Sequence, residues 1–175
     1  MTFTDLLFQT IDFHSFSNLW YWIVLAVVWS SASHFVMGVP WDLVMRARRE
    51  GGQAEADLIQ LVGIQSRRML FFSRNSGLWL FGLVCFLHST LLVLSLWYGV
   101  EWAQAVELIA LPMTLVGFLG VATAADFDAA DELEADLIYR RLRRQRLQVQ
   151  LIGMVSLVVT AMYGMYKTLA VGPFF

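Results

Sequence analysis

The sequence predicts an all-α, polytopic membrane protein with four transmembrane helices, two amphipathic helices on the cytoplasmic face and both termini periplasmic. Three observations carry that prediction. Apolar residues make up 58% of the 175-residue chain and charged residues only 15%, whereas soluble domains carry about 25% charge. Four apolar stretches, 19–39, 77–98, 105–124 and 149–171, match the about 20 residues a helix needs to cross about 30 Å of hydrocarbon. Eleven of the twelve basic residues fall in two of the connections between those stretches.

So little charge cannot cover the surface of a soluble chain this size. An ordinary soluble enzyme, a disordered tail, a collagen-like fibre and a disulfide-stapled secreted domain are therefore excluded. The net charge of −2 gives no nucleic-acid footprint. A lone cysteine, Cys85, allows neither an intrachain disulfide nor a cysteine-built cluster. The apolar runs are continuous rather than alternating, so a β-barrel is not expected.

Residues 1–18 hold no basic residue and so lack the n-region of a signal peptide. Phe3, Leu6, Leu7, Ile11 and Phe13 predict a short amphipathic segment on the outer surface, and Asp5 and Asp12 fit a translocated tail. The first span, 19–39, opens on Trp20, Tyr21 and Trp22 and carries a polar stripe of Asn18, Ala26, Ser30 and His34. Trp29 lies mid-span, packing or facing lipid. Val39–Pro40 ends the span, because proline biases its predecessor away from helix.

In the first long connection, 40–76, Asp42 is expected to N-cap a short helix through Arg49, which Gly51–Gly52 breaks. A second helix begins near Gln53 and runs towards Arg74. Glu55 and Asp57 near its start and Arg67 and Arg68 near its end suit the helix dipole. Leu58, Leu61, Val62, Met69 and Phe72 share one side, so this helix is expected to lie in the membrane interface and lead into the second span.

The turn from Gly99 to Gln104 makes spans 77–98 and 105–124 a tight antiparallel hairpin. Glu107 and Lys167 lie near span ends, within reach of headgroups. Pro112 is expected to kink or start the third span, and Gly120 and Ala124 form a small-residue face on it. The connection 125–148 is acidic first and basic after. Asp128 or Asp131 with Glu134 offers a capping box, and Asp136 can pair with Arg140 at i,i+4. A helix continuous with span four would start about 30 Å below the membrane, out of reach of a third span that ends at its surface. The expected arrangement is a helix lying along the inner surface; the alternative extends span three into the cytoplasm.

Orientation follows from the basic residues. Arg46, Arg48, Arg49, Arg67, Arg68 and Arg74 occupy one connection, and Arg140, Arg141, Arg143, Arg144 and Arg146 another. The positive-inside rule places both in the cytoplasm. Trp20, Tyr21, Trp22, Trp97, Tyr98, Trp102 and Tyr166 then form an outer aromatic belt, with Trp41 and Trp79 at the inner interface. The second arginine cluster, with Arg67 and Arg68, is a candidate docking surface for anionic headgroups or a partner, each charge worth about 1 kcal/mol near a membrane. Its alternative role is a topology signal alone.

Span four carries Ser156, Thr160, Gly164 and Thr168 at a spacing of four, a ridge that admits close helix packing. With Gly120, Ala124, Ser30 and His34 it offers faces for self-association, although a four-helix bundle can use them internally. Glu55–Ala56–Asp57–Leu58–Ile59 recurs as Glu134–Ala135–Asp136–Leu137–Ile138, which raises a duplication of span, surface helix and span.

Chemistry is sparse. There is no Gly-rich phosphate loop, no HExxH and no CxxC, so no catalytic, cofactor or metal residues are assigned. His14 lies in the outer tail. His34 and His88 lie within spans and raise a bis-histidine haem, but helix rise puts them at about 7 and 16 Å from the inner edge. Hydrogen bonding to a neighbouring helix, through Ser33, Ser89 or Thr90, is the expected role. A polar pore around an oligomer axis could be lined by Ser30, Ser33, Thr114, Ser156 and Thr160. Cys85 reads as an inert small hydrophobe.

The segments Ser15–Phe16–Ser17–Asn18–Leu19–Trp20–Tyr21–Trp22, Ser33–His34, Gly38–Val39–Pro40–Trp41–Asp42, Arg46–Ala47–Arg48–Arg49 and Gly51–Gly52–Gln53–Ala54–Glu55 resemble a group of small alphaproteobacterial inner-membrane proteins. Some of these are labelled components of the Suf iron–sulfur assembly complex. The likeness covers about the first third of the chain. It implies a bacterial inner membrane and brings no active-site residues; the chain offers no cluster ligands, ATP site or scaffold cysteines. The functional expectation is a non-enzymatic membrane protein acting through protein contacts, as an accessory or scaffold subunit or a self-associating assembly. A small homo-oligomeric channel is the alternative.

Overall fold

The structure, a computed structural model, describes residues 16, 18–130 and 134–170. The expected outer segment with Phe3 to His14, and Asp131 and Glu132, lie outside the described residues. Five helices and one small hairpin make up the rest. They are α1 (Leu19–His34), β1 (Phe35–Val36), β2 (Val39–Pro40), α2 (Trp41–Glu50), α3 (Gly52–Leu96), α4 (Glu101–Asp128) and α5 (Ala135–Ala170).

Helix α1 is shorter than its apolar stretch. Asn18 caps it, its Oδ1 accepting from the Trp20 N–H at 3.0 Å. It stops at His34 because the chain turns back, pairing Phe35 with Pro40 and Val36 with Val39 in antiparallel register. Met37 and Gly38 form the turn with φ of 54° and 76°, the doubly positive geometry of a type I′ hairpin turn. A side chain at Gly38 would meet Gln65 Nε2 at 2.7 Å. At 16 residues, α1 is about 24 Å long. Among the described residues, three helices, α3, α4 and α5, are long and apolar enough to cross a membrane.

Several expectations about the connections are corrected. Asp42 lies inside the first turn of α2, whose N-cap is Pro40. The break at Gly51–Gly52 holds, with φ of 63° and 55°, but the helix that follows is not a separate surface element. It runs unbroken for 45 residues into the second apolar stretch, about 67 Å at ~1.5 Å per residue. No proline lies in α3, its internal glycines Gly63, Gly77 and Gly82 stay helical, and each added residue gains a hydrogen bond once a helix is nucleated. Likewise α5 is continuous for 36 residues. The gap below the membrane closes because α4 extends to Asp128, the alternative arrangement of the sequence. Asp128 therefore ends α4 and starts no capping box.

The projecting ends pack on one another. Leu58, Val62 and Leu70 of α3, Ala124 and Phe127 of α4, Ile138 and Leu142 of α5, and Val44 and Ala47 of α2 form one buried core with Val36 and Val39 of the hairpin. Leu58 and Val62 thus face protein, while Phe72, expected on the same side, is 54% exposed. In the first echo segment the core residue is Leu58, whereas in the second it is Ile138 rather than the matching Leu137. The copies are out of phase by one position, which argues against a duplication.

The apolar half has its own core of Leu25, Trp29 and Val149. Gly153 makes it possible: an added Cβ there would lie 2.8 Å from the Trp29 ring. Trp29 is therefore a packing residue. Pro112 sits inside α4 and cannot donate to the Leu108 carbonyl, the partner four residues back. Ser156 of α5 supplies a donor instead, its Oγ–H reaching the Leu108 carbonyl at 3.4 Å.

Candidate functional site

The polar site in the apolar half is built where α3 faces α4. His88 Nδ1 lies 2.9 and 3.0 Å from the two carboxyl oxygens of Glu107, and Nε2 lies 2.9 Å from Thr114 Oγ1. The expected partners Ser33, Ser89 and Thr90 are not the ones used; Thr90 donates to Phe86 of its own helix. Nor does Glu107 reach towards headgroups, being only 7% exposed.

Donor and acceptor roles follow from the proton count. The single hydroxyl proton of Thr114 is donated to the Ala110 carbonyl at 2.8 Å, so Nε2 must carry a proton and donate to Oγ1. The contact with Glu107 needs one more proton, on Nδ1 or on the carboxyl group. Either placement leaves the site electrically neutral, as an imidazolium–carboxylate pair or as imidazole with a carboxylic acid. Neutrality is what makes two ionisable side chains tolerable between apolar helices. Chemically the pair can hold one proton and move it between Glu107 and Nδ1. Both ring nitrogens are engaged, so an axial role to haem would require breaking one of these bonds.

Glu107 stands between two clefts. One, of about 420 Å³, opens between α3 and α4 and is floored by Cys85, His88, Ser89 and Thr114 among apolar walls. The other, of about 450 Å³, lies between α4 and α5 and is walled almost wholly by leucine, valine and isoleucine beside Ser156. His34 belongs to neither. It lies 3.6 Å from Asp42 and edge-on to Phe35.

The small-residue faces are used within the monomer. Gly120 contacts Met69 and Gln145, and Ala124 is fully buried. Ser156 and Thr160 are buried, and Gly164 packs on Phe16 and Trp22. Thr168 is exposed, its hydroxyl donating to the Gly164 carbonyl, and Ser30 is exposed.

The aromatic belt residues gather at one end. Tyr21 donates to the Ala105 carbonyl at 3.2 Å, and the Trp22 indole N–H donates to the Phe16 carbonyl at 3.0 Å. The first bond ties the start of α1 to the start of α4, the second ties it to Phe16 ahead of the helix, and Gly164 brings it against the far end of α5. Trp20, Trp97, Tyr98, Trp102 and Tyr166 are all at least half exposed there.

At the opposite end the arginines divide by role. Arg140 pairs with Asp136 as expected, Arg141 pairs with Asp126 of α4, and Arg74 reaches Asp128 at 2.8 Å. Arg67, Arg68, Arg143 and Arg144 are exposed. Arg146 lies 4.3 Å from the Trp41 ring, a cation–π contact. The Tyr139 phenol nearby has its pKa raised by burial, with Glu55 adding to the effect and Arg48 opposing it.

No protein-family model, curated protein or solved structure matches this chain.

Proposed function

We propose that the protein is a non-enzymatic, multi-pass protein of a bacterial inner membrane that acts through protein contacts, as an accessory or scaffold subunit of a membrane complex. The observation that carries this reading is the outer face of α3 below its apolar stretch. Ile64, Phe71 and Phe72 are 52%, 64% and 54% exposed, interleaved with the exposed Arg67 and Arg68. Guanidinium groups at that level argue against hydrocarbon as the cover. An apolar patch with basic neighbours fits a partner protein that offers apolar side chains within an acidic rim.

In this reading α1 and its hairpin complete a fourth crossing beside α3, α4 and α5. Both termini and the aromatic belt are then outside, and the packed helix ends project into the cytoplasm. The unbroken α3 supports a docking role, because it joins the membrane segment rigidly to the contact face. A homo-oligomeric pore draws less support, since Thr114 and Ser156 hydrogen-bond within the monomer and Thr160 is buried there.

The test is isolation of the tagged full chain from native membranes in mild detergent. A partner is expected to co-purify from wild type and to be lost from the Phe71→Ser/Phe72→Ser variant at an unchanged membrane level. Recovery of a lone monomer from wild type would contradict the proposal.

A further inference from the structure

We propose that the cleft between α2 and α5 is a phosphate-binding site built by Arg48, Arg143 and Arg146 around Trp41 and Tyr139. The cleft has a volume of about 350 Å³, and these five residues line it. Three other arginines of the same end are neutralised, by Asp128, Asp136 and Asp126. The three in the cleft pair with no carboxylate among the described residues. Guanidinium groups converging from two helices without counter-charge raise a local positive potential that an anion relieves.

Two further features separate this cleft from a merely basic surface. Arg146 is held in place by Trp41, 4.3 Å below it, so its planar fork is oriented before any ligand arrives. The Arg146 Nε and the Tyr139 hydroxyl are buried and hydrogen-bond to nothing among the described residues. Buried donors without partners are costly and rare. A phosphate group, with its several acceptor oxygens, suits both donors and takes arginine in bidentate fashion. Among the described residues no carboxylate lines the cleft; Glu55, whose field reaches Tyr139, is one negative charge against three arginines.

Arg146 also lies three positions before the apolar stretch of α5 that starts at Val149. A phospholipid headgroup and a free phosphate compound share the required chemistry. The lipid source rests on the membrane orientation proposed above; the site itself does not, and neither depends on a protein partner being found.

The experiment uses the full chain in uncharged detergent, reading the thermal unfolding midpoint against dioctanoyl phosphatidic acid, inorganic phosphate and pyrophosphate. At least one is expected to raise the midpoint saturably. The Arg48→Gln/Arg143→Gln variant should weaken the apparent affinity about tenfold or more. Both side chains are exposed, so the unliganded midpoint should stay near wild type. Arg140→Gln/Arg144→Gln, which removes equal charge elsewhere, should change affinity less than about twofold. A response to the lipid alone identifies a headgroup, and a response to the soluble anions identifies a free phosphate compound; both support the site. No response to any probe, or equal weakening in the two double variants, would overturn it.

Discussion

His88 and Glu107, 19 positions apart in the chain, meet at 2.9 Å across the α3–α4 interface. Their bond fixes the register of the two helices, because a slip of either would leave an ionisable group alone among apolar side chains. Removing one partner should therefore cost more than removing both. His88→Leu or Glu107→Leu is expected to destabilise by about 1–3 kcal/mol, while the double substitution returns most of that loss. Unfolding in mixed micelles, run as a double-mutant cycle, measures the coupling.

Ser156 and Pro112 should also be coupled without touching as donor and acceptor. Ser156→Ala leaves the Leu108 carbonyl unpaired and is expected to cost about 0.5–1.5 kcal/mol. In a Pro112→Ala background α4 supplies its own N–H to that carbonyl, so the effect of Ser156→Ala should shrink by half or more. Additive effects in the same unfolding assay would contradict this role.

Gly153 allows the Trp29 ring to approach α5 closely. Gly153→Val forces the ring away and is expected to destabilise by about 1–3 kcal/mol. The monomer, not an oligomer, should respond. Light scattering in detergent should show the same mass for wild type and variant while the unfolding midpoint falls.

Arg74 and Asp128 form an ion pair, but their side chains are 72% and 36% exposed. Arg74→Gln should change stability by less than about 1 kcal/mol. A larger loss would mean that the pair is shielded from water.

The orientation can be read from thiol labelling in intact cells, in a Cys85→Ala background. A cysteine at Tyr98 should react with an impermeant maleimide added outside, and one at Arg67 only after permeabilisation. The opposite pattern would invert the positive-inside assignment.

Much of the fold was legible in the residues themselves. Apolar length marked α3, α4 and α5; Gly51–Gly52 marked the break before α3; Asp136 and Arg140 were paired by helical spacing alone. The path of α3 was not legible, because Leu58 and Val62 present the same periodicity whether they face lipid headgroups or a protein core. Only the partners supplied by α4 and α5 distinguish the two. The end of α1 was missed for a related reason: apolarity continues through Phe35 to Val39, while the backbone reverses at Met37–Gly38. The His88–Glu107 pair did leave a signal. Between Leu96 and Glu101 the turn is short, so residues equally far from it lie level, and Glu107 falls within one helical turn of the position opposite His88. Glu107 also lies near the end of its apolar stretch, where a reach to headgroups is equally compatible with the sequence. Of the cleft arginines, Arg143 and Arg146 were legible as members of a basic cluster, whereas Arg48 was not, since its place beside them depends on how α2 packs against α5.

Helix α3 is one continuous rod from the core of packed helix ends through its apolar stretch. Spin labels at Gln53 and Leu92, in the Cys85→Ala background, test it by electron–electron double resonance in reconstituted bilayers. An unbroken helix puts those positions about 58 Å apart, and a narrow distribution near that distance is the expected result. A helix lying on the membrane surface and turning into the span near Asn75 would give about 42 Å, and a distribution centred there would contradict the claim.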